Sequence, residues 1–272
     1  MDARLQLRIQ RYGWDRACED YESGWARQVE PAQRRLLEMA ALRPGERVLD
    51  VACGTGLVTF PAASAVGKSG EVIGADISER MVEHASAEAA RAGMGNVRFV
   101  RAGAEEMDFP EASFDAILCS LGLMYVPDPM AALQAMRTML RPGGRLVAAV
   151  WGERARCGWA GIFPVVEARV ESEVCPMFFQ LGTGRNLGTA LEQTGFGRVE
   201  LDRIRTVLDY ATADEAVGAA FVGGPVAMAY SRFSEEIREQ ARVAYLDTIA
   251  AYRQAGQGYA LPGEFVVAAG WN

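Results

Sequence analysis

The chain is poor in the residues that usually build metal centres and disulfide frameworks. It has a single histidine among 272 residues, and its five cysteines lie far apart with no C-x-x-C pair. An odd number of scattered cysteines predicts neither a zinc site nor a disulfide framework. One histidine gives no basis for a metal site either, because such sites draw on several ligands. We therefore expect no bound metal.

Clusters of basic residues and long apolar runs are also lacking. Lysine and arginine together number 28 against 35 acidic residues, a net charge of −7, and no basic stretch of the kind found in nucleic-acid-binding proteins appears. The longest apolar stretch, residues 116–126, is interrupted by Ser120 and Gly122 and falls far short of the ~20 residues that cross a bilayer. The N terminus lacks the apolar centre of a signal peptide. These absences predict a cytoplasmic protein with no nucleic-acid partner and no membrane span, and they leave monomer and homodimer open.

What is present is an ordinary globular composition, 50% hydrophobic and 23% charged, in a chain long enough for one large domain or a domain with a cap. The first 40 residues predict a helix. Trp14, Cys18, Tyr21 and Trp25 recur at spacings of four, three and four, which places them on one helix face. That face either packs on the core or forms a lid over a ligand.

Short apolar runs alternate with amphipathic helices through the middle of the chain. The predicted strands there are residues 47–52, 71–76, 97–102, 114–120 and 145–151. This alternation predicts a parallel sheet covered on both faces by helices. Ser78 and Asp128 are placed to cap the helices that follow them, and a turn at 141–144 precedes the fifth strand.

The last third of the chain gives weaker signals. Residues 158–174 and 186–194 read as helical, 198–210 and 264–270 read as strands, and the mainly helical stretch 212–255 between these strands reads as a cap. We therefore predict an N-terminal helical lid, a ligand-binding core, and a third part that holds the remaining strands with cap insertions. Their bounds are 1–40, 41–152 and 153–272.

Two glycines and an acid mark a ligand site. Gly54 and Gly56 follow the first strand, and Asp76 ends the second strand 20 residues after Gly56. In doubly wound sheets ligands bind beyond the carboxyl ends of the strands, and glycine there permits positive φ and a close approach to the backbone. A carboxylate at the position of Asp76 can accept hydrogen bonds from both ribose hydroxyls. The pair predicts an adenosine-bearing ligand.

Two residues indicate which adenosine-bearing ligand binds, because they depart from G-x-G-x-x-G, the motif by which proteins bind dinucleotides such as NAD. Thr59 stands where G-x-G-x-x-G has its third glycine, and Asp50 lies inside the first strand, four residues before Gly54. An acid beside a pyrophosphate is repulsive, whereas an acid beside a cationic sulfonium is attractive. S-adenosyl-L-methionine is therefore favoured over NAD. Two alternatives stay open: an NAD-dependent oxidoreductase, and a protein that binds S-adenosylmethionine without transferring its methyl group.

Four segments carry a family resemblance: DVACGTG, GADIS, RAGAEEMDFPEASFDAILCS and LRPGGRL. Together they resemble the class I S-adenosylmethionine-dependent methyltransferases, in particular the group of ubiquinone/menaquinone-biosynthesis C-methyltransferases and natural-product methyltransferases. The resemblance is specific over 45–152. It implies an α/β, Rossmann-like, doubly wound sheet of seven mostly parallel strands with an antiparallel last strand, plus a helical cap. It also implies S-adenosyl-L-homocysteine as product.

The resemblance further implies the residues that contact the cofactor. The turn from Asp50 to Gly56 would face the methionine end, Asp76 would hold the ribose, and Ser120 with Leu121 would lie near the transferred methyl group. The full implied set is Tyr21, Asp50, Ala52, Gly54, Gly56, Asp76, Ile77, Met81, Gly103, Ala104, Glu105, Ser120, Leu121 and Tyr125.

The adenine end departs from the family pattern. Ile77 would pack on the adenine ring, and Ala104 and Glu105 would border its edge. The family often has Asp-Ala-Glu where this chain has Gly103-Ala104-Glu105. The usual aspartate contact with the adenine amino group would be missing, or supplied by backbone or by Glu105.

A general base is not evident from the sequence. His84 falls beside the inward face of the helix after Asp76, where it reads as a structural residue. Tyr125 and Tyr21 are candidate bases, yet each is better explained as a packing or cofactor-contacting residue. We assign no catalytic residue. A methyl group on sulfonium is already activated, so alignment and exclusion of water can carry the reaction.

A group of aromatic residues points to the acceptor. It falls where a cap over the cofactor cleft would begin, and its members are Trp151, Trp159, Phe163, Phe178 and Phe179. If several line the mouth, the acceptor is a small hydrophobic or aromatic metabolite, methylated at oxygen or carbon and held by burial. A mouth lined by arginine and lysine would contradict this expectation.

Overall fold

The computed structural model describes residues 3–170 and 177–272. Within them the chain forms one seven-stranded sheet. The strands are β1 Arg47–Val51, β2 Glu71–Asp76, β3 Val97–Arg101, β4 Phe114–Ser120, β5 Leu140–Trp151, β6 Arg198–Tyr210 and β7 Tyr259–Trp271. Their order across the sheet is β3-β2-β1-β4-β5-β7-β6.

The helices lie before, between and after these strands. They are α1 Ala3–Ala40, α2 Thr59–Val66, α3 Glu79–Arg91, α4 Pro129–Met139, α5 Ile162–Glu167, α6 Asn186–Thr194, α7 Ala213–Phe221, α8 Ala227–Ser231 and α9 Glu235–Thr248. In the described part of the chain, no helix combines the length and apolar character needed to cross a membrane.

The pairing of strands confirms the predicted architecture. β1 pairs in parallel with both β2 and β4, β4 with β5, and β2 with β3. β7 runs antiparallel between β5 and β6. The strand order reverses at β1, because the chain moves outward to β3 and then returns to β4. A crevice therefore opens at the carboxyl ends of β1 and β4, which is where ligands bind in such sheets.

Local sequence signals account for several boundaries. The hydroxyl of Ser78 accepts a hydrogen bond from the Met81 amide at 3.1 Å and caps α3. Asp128 accepts from the Ala131 amide at 2.9 Å and caps α4. Gly195 ends α6 with a φ of +96°, a conformation that costs glycine little. Both predicted caps are confirmed.

Three predicted boundaries differ from the structure. β7 begins at Tyr259 rather than 264, because β6 and β7 pair along thirteen residues each. β5 begins at Leu140, so the predicted turn at 141–144 lies inside the strand, where the Gly143 amide donates to the Asn272 carbonyl at 3.0 Å. The helix predicted over 158–174 ends at Glu167 in the structure, after a 3₁₀ turn at Gly158–Gly161; its residues 171–174 lie outside the described residues.

The long helix α1 covers one end of the sheet. It contacts α3, α7, α8, β5 and β7. Trp25 anchors it, since the indole Nε1 donates to the Ala219 carbonyl of α7 at 2.9 Å and the ring is 4% exposed. The helices α1 and α7 are therefore joined beside the crevice, whose wall includes residues of α1.

Candidate functional site

A cleft of about 990 Å³, including the space open to solvent, lies between α1 and the carboxyl ends of the strands. Each of the first five strands contributes a residue at or just after its end: Ala52, Asp76, Ala102, Ser120 and Trp151. The opposite wall comes from one face of α1: Leu7, Gln10, Trp14, Tyr21, Trp25 and Val29.

Eleven of the fourteen sequence-predicted cofactor residues line this cleft. They are Tyr21, Ala52, Gly54, Asp76, Ile77, Met81, Ala104, Glu105, Ser120, Leu121 and Tyr125. The other three, Asp50, Gly56 and Gly103, are not part of the wall. The structure thus gathers residues from five separate sequence segments into one place, while their contacts with a cofactor stay predictions.

The two glycines of the turn differ in what surrounds them. Gly54 has a φ of +54°, and a Cβ atom built there would meet no atom within 4 Å. Gly56 has a φ of +96°, and a Cβ there would lie 2.6 Å from the Phe60 ring. Gly54 therefore leaves its backbone bare toward open space, whereas Gly56 is required for packing within the turn. Contact of either glycine with the cofactor stays a prediction.

Asp76 connects the turn to the second strand. One carboxylate oxygen accepts from the Gly54 amide and the other from the Ser78 amide, both at 2.8 Å. Burial raises the pKa of Asp76 to about 6; the two backbone hydrogen bonds oppose the rise and nearby Asp15 adds to it. Each oxygen keeps a further lone pair, so Asp76 can hold the turn and still accept hydrogen bonds from hydroxyl groups.

Asp50 lies beneath the turn instead of in the wall. Its Oδ2 accepts a 2.6 Å hydrogen bond from the hydroxyl of Thr59, the residue that replaces the third glycine of a dinucleotide fingerprint. Its Oδ1 has no hydrogen-bond partner among the described residues. Burial raises the pKa of Asp50 to about 7, the Thr59 bond lowers it, and Asp76 raises it further. A buried carboxylate with an unpartnered oxygen is stabilised by a cation nearby.

Two of the four non-glycine residues with positive φ in the described part of the chain lie at this place. Ala52 and Leu121 follow β1 and β4 directly and have φ angles of +57° and +60°. Non-glycine residues rarely adopt this conformation, and where they do it often marks a functional site. Gly122 permits the arrangement, because a Cβ there would lie 2.4 Å from the Ala52 Cβ. No sequence pattern predicts these conformations.

The adenine end of the predicted site is built differently from the family pattern. Glu105 lines the cleft, but its Oε1 accepts the Asp128 amide at 2.8 Å and so ties the wall to the start of α4. A Cβ at Gly103 would meet Glu106 and Ile77 atoms only at 3.8 and 3.9 Å. Space is therefore available for a side chain at position 103, and the glycine there is not imposed by packing.

The helix α1 is fixed against α3 beside Asp76. The Ser78 hydroxyl donates to Asp15 at 2.7 Å, and the Arg80 amide donates to the same carboxylate oxygen at 3.2 Å. Of the stripe predicted on α1, Trp14, Tyr21 and Trp25 line the cleft, while Cys18 is buried without lining it. The stripe thus serves both as cleft wall and as packing surface.

Some of the aromatic residues line the cleft, and the others pack behind those that do. Trp151 and Trp159 line the cleft together with Trp25; their ring centroids lie 4.9–5.8 Å apart. Phe163, Phe178 and Phe179 do not line it and pack behind Trp159, with centroids 5.6–5.9 Å from its ring.

Some wall residues escaped the sequence analysis. They are Leu7, Gln10, Val29, Ala102, Gly122, Met124, Val126, Gly224 and Pro225. Leu7, Gln10 and Val29 continue the α1 stripe at helical spacing, a signal that the sequence did contain. Gly224 and Pro225 lie in the break between α7 and α8, and only the tertiary structure brings that break to the cleft.

The ionisable groups of the wall are acidic or phenolic. Within the described residues, Asp76, Glu105, Tyr21 and Tyr125 line the cleft and no lysine, arginine or histidine does. Burial, and secondly the charge of Asp76, raise the pKa of Tyr21 well above its usual range, so its phenol stays protonated at neutral pH.

His84 lies outside the cleft. Its side chain is 40% exposed on α3, and its Nε2 is 3.9 Å from Glu22 of α1. Across residues 3–170 and 177–272, no group of three or more potential ligands is arranged to hold a metal ion. His84, which the sequence placed beside the inward face of this helix as a structural residue, is thus half-exposed and lies away from the cleft.

Comparison with known sequences bears on this geometry. Residues 48–144 match the family model described as a methyltransferase domain. A demethylmenaquinone methyltransferase of Staphylococcus aureus is 33% identical over 200 residues, which cover 72% of this chain and 79% of that protein. A nocamycin O-methyltransferase of Saccharothrix syringae is 40% identical over 133 residues, 49% of this chain. That match spans only about half the length of the relative, 48%.

Solved structures show the same fold. The YcgJ protein of Bacillus subtilis superimposes with a TM-score of 0.63 over 89% of this chain and 98% of its own, at 18% identity. The long match to the Staphylococcus protein, the domain match over the glycine turn and Asp76, and the shared fold agree with the resemblance in the sequence. The chain belongs to the class I S-adenosylmethionine-dependent methyltransferases.

Proposed function

We propose that the protein binds S-adenosyl-L-methionine and transfers its methyl group to a small hydrophobic or aromatic metabolite. The observation that carries the proposal is a single cleft with two different ends. One end has the bare Gly54 backbone and the Asp76 carboxylate; the other has the indole rings of Trp25, Trp151 and Trp159.

Unpartnered polar atoms in and behind the wall of the first end fit the proposed cofactor. Ser120 Oγ in the wall, and Asp50 Oδ1 and Thr55 Oγ1 behind it, are buried without a hydrogen-bond partner in the described part of the chain. Such atoms are costly unless a ligand or water satisfies them. Gly54, Asp76 and Ser120 would hold the cofactor, and the acidic surroundings suit its positive charge. When bound, it supplies an already activated methyl group.

The second end suits an uncharged acceptor. Its wall is made of indole rings and aliphatic side chains, including Val29 and Met124, and no described cationic side chain reaches it. Burial against aromatic surface provides affinity for flat apolar molecules. A charged acceptor would lose its hydration there without a partner in return.

Among the described residues of the wall, the acids are already engaged and the buried phenol is protonated. Asp76 and Glu105 accept hydrogen bonds from backbone amides, and Tyr21 keeps its proton at neutral pH. We therefore infer that the acceptor brings its own acidic proton, as a phenol or an enol does. The protein then contributes orientation of the acceptor and exclusion of water. The names of the relatives, an O-methyltransferase and a demethylmenaquinone methyltransferase, are compatible with either oxygen or carbon as the methylated atom.

Transfer of a labelled methyl group tests the proposal. The protein is incubated with S-adenosyl-[methyl-³H]methionine and a panel of phenols, enols, amines and carboxylates, and label in each product is counted. We expect label in apolar phenols or enols, loss of transfer in Asp76→Ala, and unchanged transfer in His84→Ala. Label confined to charged amines or carboxylates would contradict the acceptor class, and failure to bind the cofactor would contradict the whole proposal.

A further inference from the structure

One polar atom in the aromatic end of the cleft has no function in the proposed chemistry so far. Trp159 lines the cleft and is 1% exposed, and its indole Nε1 is buried without a hydrogen-bond partner in residues 3–170 and 177–272. A buried indole N–H usually finds a partner, because leaving a buried donor unsatisfied is costly.

The neighbouring Trp25 shows the contrast. Its ring lies 5.4 Å from that of Trp159, centroid to centroid, and it is buried to a similar degree at 4% exposure. Its Nε1, however, donates to the Ala219 carbonyl at 2.9 Å. One indole of the pair is thus engaged in holding α1 to α7, and the other keeps its donor available.

The surroundings of Trp159 restrict what can satisfy that donor. Five aromatic rings contact its indole: Trp25, Trp151, Phe163, Phe178 and Phe179. None of these rings is a strong hydrogen-bond acceptor, so within the described residues the donor remains unpaired beside the cleft that Trp159 lines.

We propose that Trp159 is the specificity-determining donor for the acceptor, which is therefore an apolar ring that carries, beside the phenol or enol that is methylated, a hydrogen-bond-accepting oxygen such as a ketone carbonyl. The inference rests on the proposed function only in identifying the bound molecule as the methyl acceptor. The recognition itself is a property of the cleft. A hydrocarbon of the same shape would be held by the rings alone and would leave the N–H unsatisfied.

Two probes of matched shape test this inference. 1-Tetralone and tetralin share a ring system and differ in one carbonyl. In ¹⁵N-labelled protein the five tryptophans give five indole N–H resonances, and the one lost in Trp159→Phe identifies that of Trp159. We expect 1-tetralone, but not tetralin, to move this resonance downfield. We also expect 1-tetralone to bind about 3- to 10-fold more tightly, the range for one neutral hydrogen bond.

Variants separate the donor from the ring. Trp159→Phe is expected to bind both probes equally, whereas the matched control Trp25→Phe should keep the preference for the ketone. Because Trp159→Phe breaks no hydrogen bond and Trp25→Phe breaks one, the first should also unfold at the higher urea concentration of the two. The shift in the unmodified protein decides the question even if Trp25→Phe fails to fold.

The outcomes distinguish this inference from the proposed function. The assignment of Trp159 would be overturned if the protein binds both probes equally or binds neither. It would also be overturned if 1-tetralone leaves the indole resonance of Trp159 unchanged. S-adenosylhomocysteine should bind Trp159→Phe as it binds the unmodified protein. If it fails to bind the unmodified protein, the proposed function fails while the probe result stands on its own.

Discussion

The buried carboxylate Asp50 predicts a specific dependence of stability on pH. Its side chain is 1% exposed, and burial raises its pKa from the ordinary value of 3.8 to about 7. Between these two values the folded chain holds a proton that the unfolded chain has released. Linkage then requires the free energy of unfolding to fall as the pH rises from 3.8 to 7, and to stay level above that range as far as Asp50 is concerned.

The magnitude follows from the size of the shift. About three pKa units at about 1.4 kcal/mol each amount to a cost of about 4 kcal/mol in the folded state above pH 7. At pH 5, which lies about one unit above the ordinary pKa, only about one unit's worth of this cost is present in the folded state. The substitution Asp50→Asn removes the charge at every pH, so its effect relative to the unmodified protein should become more favourable by about 3 kcal/mol between pH 5 and pH 8.5.

Urea unfolding of both proteins at pH 5 and pH 8.5 measures this difference. Comparing the two pH values cancels the fixed cost of burying an amide, and it also cancels most of the titration of Asp76, which both proteins keep. The control Thr59→Val removes the 2.6 Å hydrogen bond to Asp50 and should destabilise the protein more at pH 8.5 than at pH 5. An Asp50→Asn effect that is the same at both pH values would refute a raised pKa for this carboxyl group.

Four further substitutions test the glycine turn and the packing of α1. Gly54→Ala should weaken S-adenosylhomocysteine binding at least about tenfold and cost only about 1–2 kcal/mol of stability for its positive φ. Gly56→Ala places a methyl group against the Phe60 ring, so it should cost about 1–3 kcal/mol of stability with less effect on binding. Calorimetry measures the binding of both variants, and urea unfolding measures their stability. Ala52→Gly should stabilise the protein by about 1 kcal/mol because it relieves a φ of +57°, as urea unfolding would show. Ser78→Ala loses a helix cap and the bond to Asp15, so it should cost about 1–2 kcal/mol and speed amide hydrogen exchange in α1.

The sheet and the cofactor end could be predicted because their signals are local. Apolar runs bounded by turn residues mark β1 to β4, and the spacing of Gly54 and Asp76 follows from one strand–helix–strand unit. The hydroxyl of Thr59 explains a departure that the sequence presented only as a missing glycine. These features depend on neighbours in sequence, so a single chain is sufficient to infer them.

The acceptor end could be predicted only in outline because it depends on contacts between distant segments. Trp25 and Trp159 are 134 residues apart, and nothing in the sequence distinguishes the satisfied indole from the unsatisfied one. The division between wall residues such as Trp151 and packing residues such as Phe178 follows from side-chain placement. The strained φ of Leu121 likewise arises where β4 meets the turn after β1, and no composition signal marks it.

Calorimetric titration with S-adenosylhomocysteine and, separately, with NADH determines which cofactor the cleft holds. We expect saturable 1:1 binding of S-adenosylhomocysteine, strong weakening of that binding in Asp76→Ala, and no comparable binding of NADH. Tight binding of NADH, or S-adenosylhomocysteine binding that Asp76→Ala leaves unchanged, would refute the assignment of the cofactor.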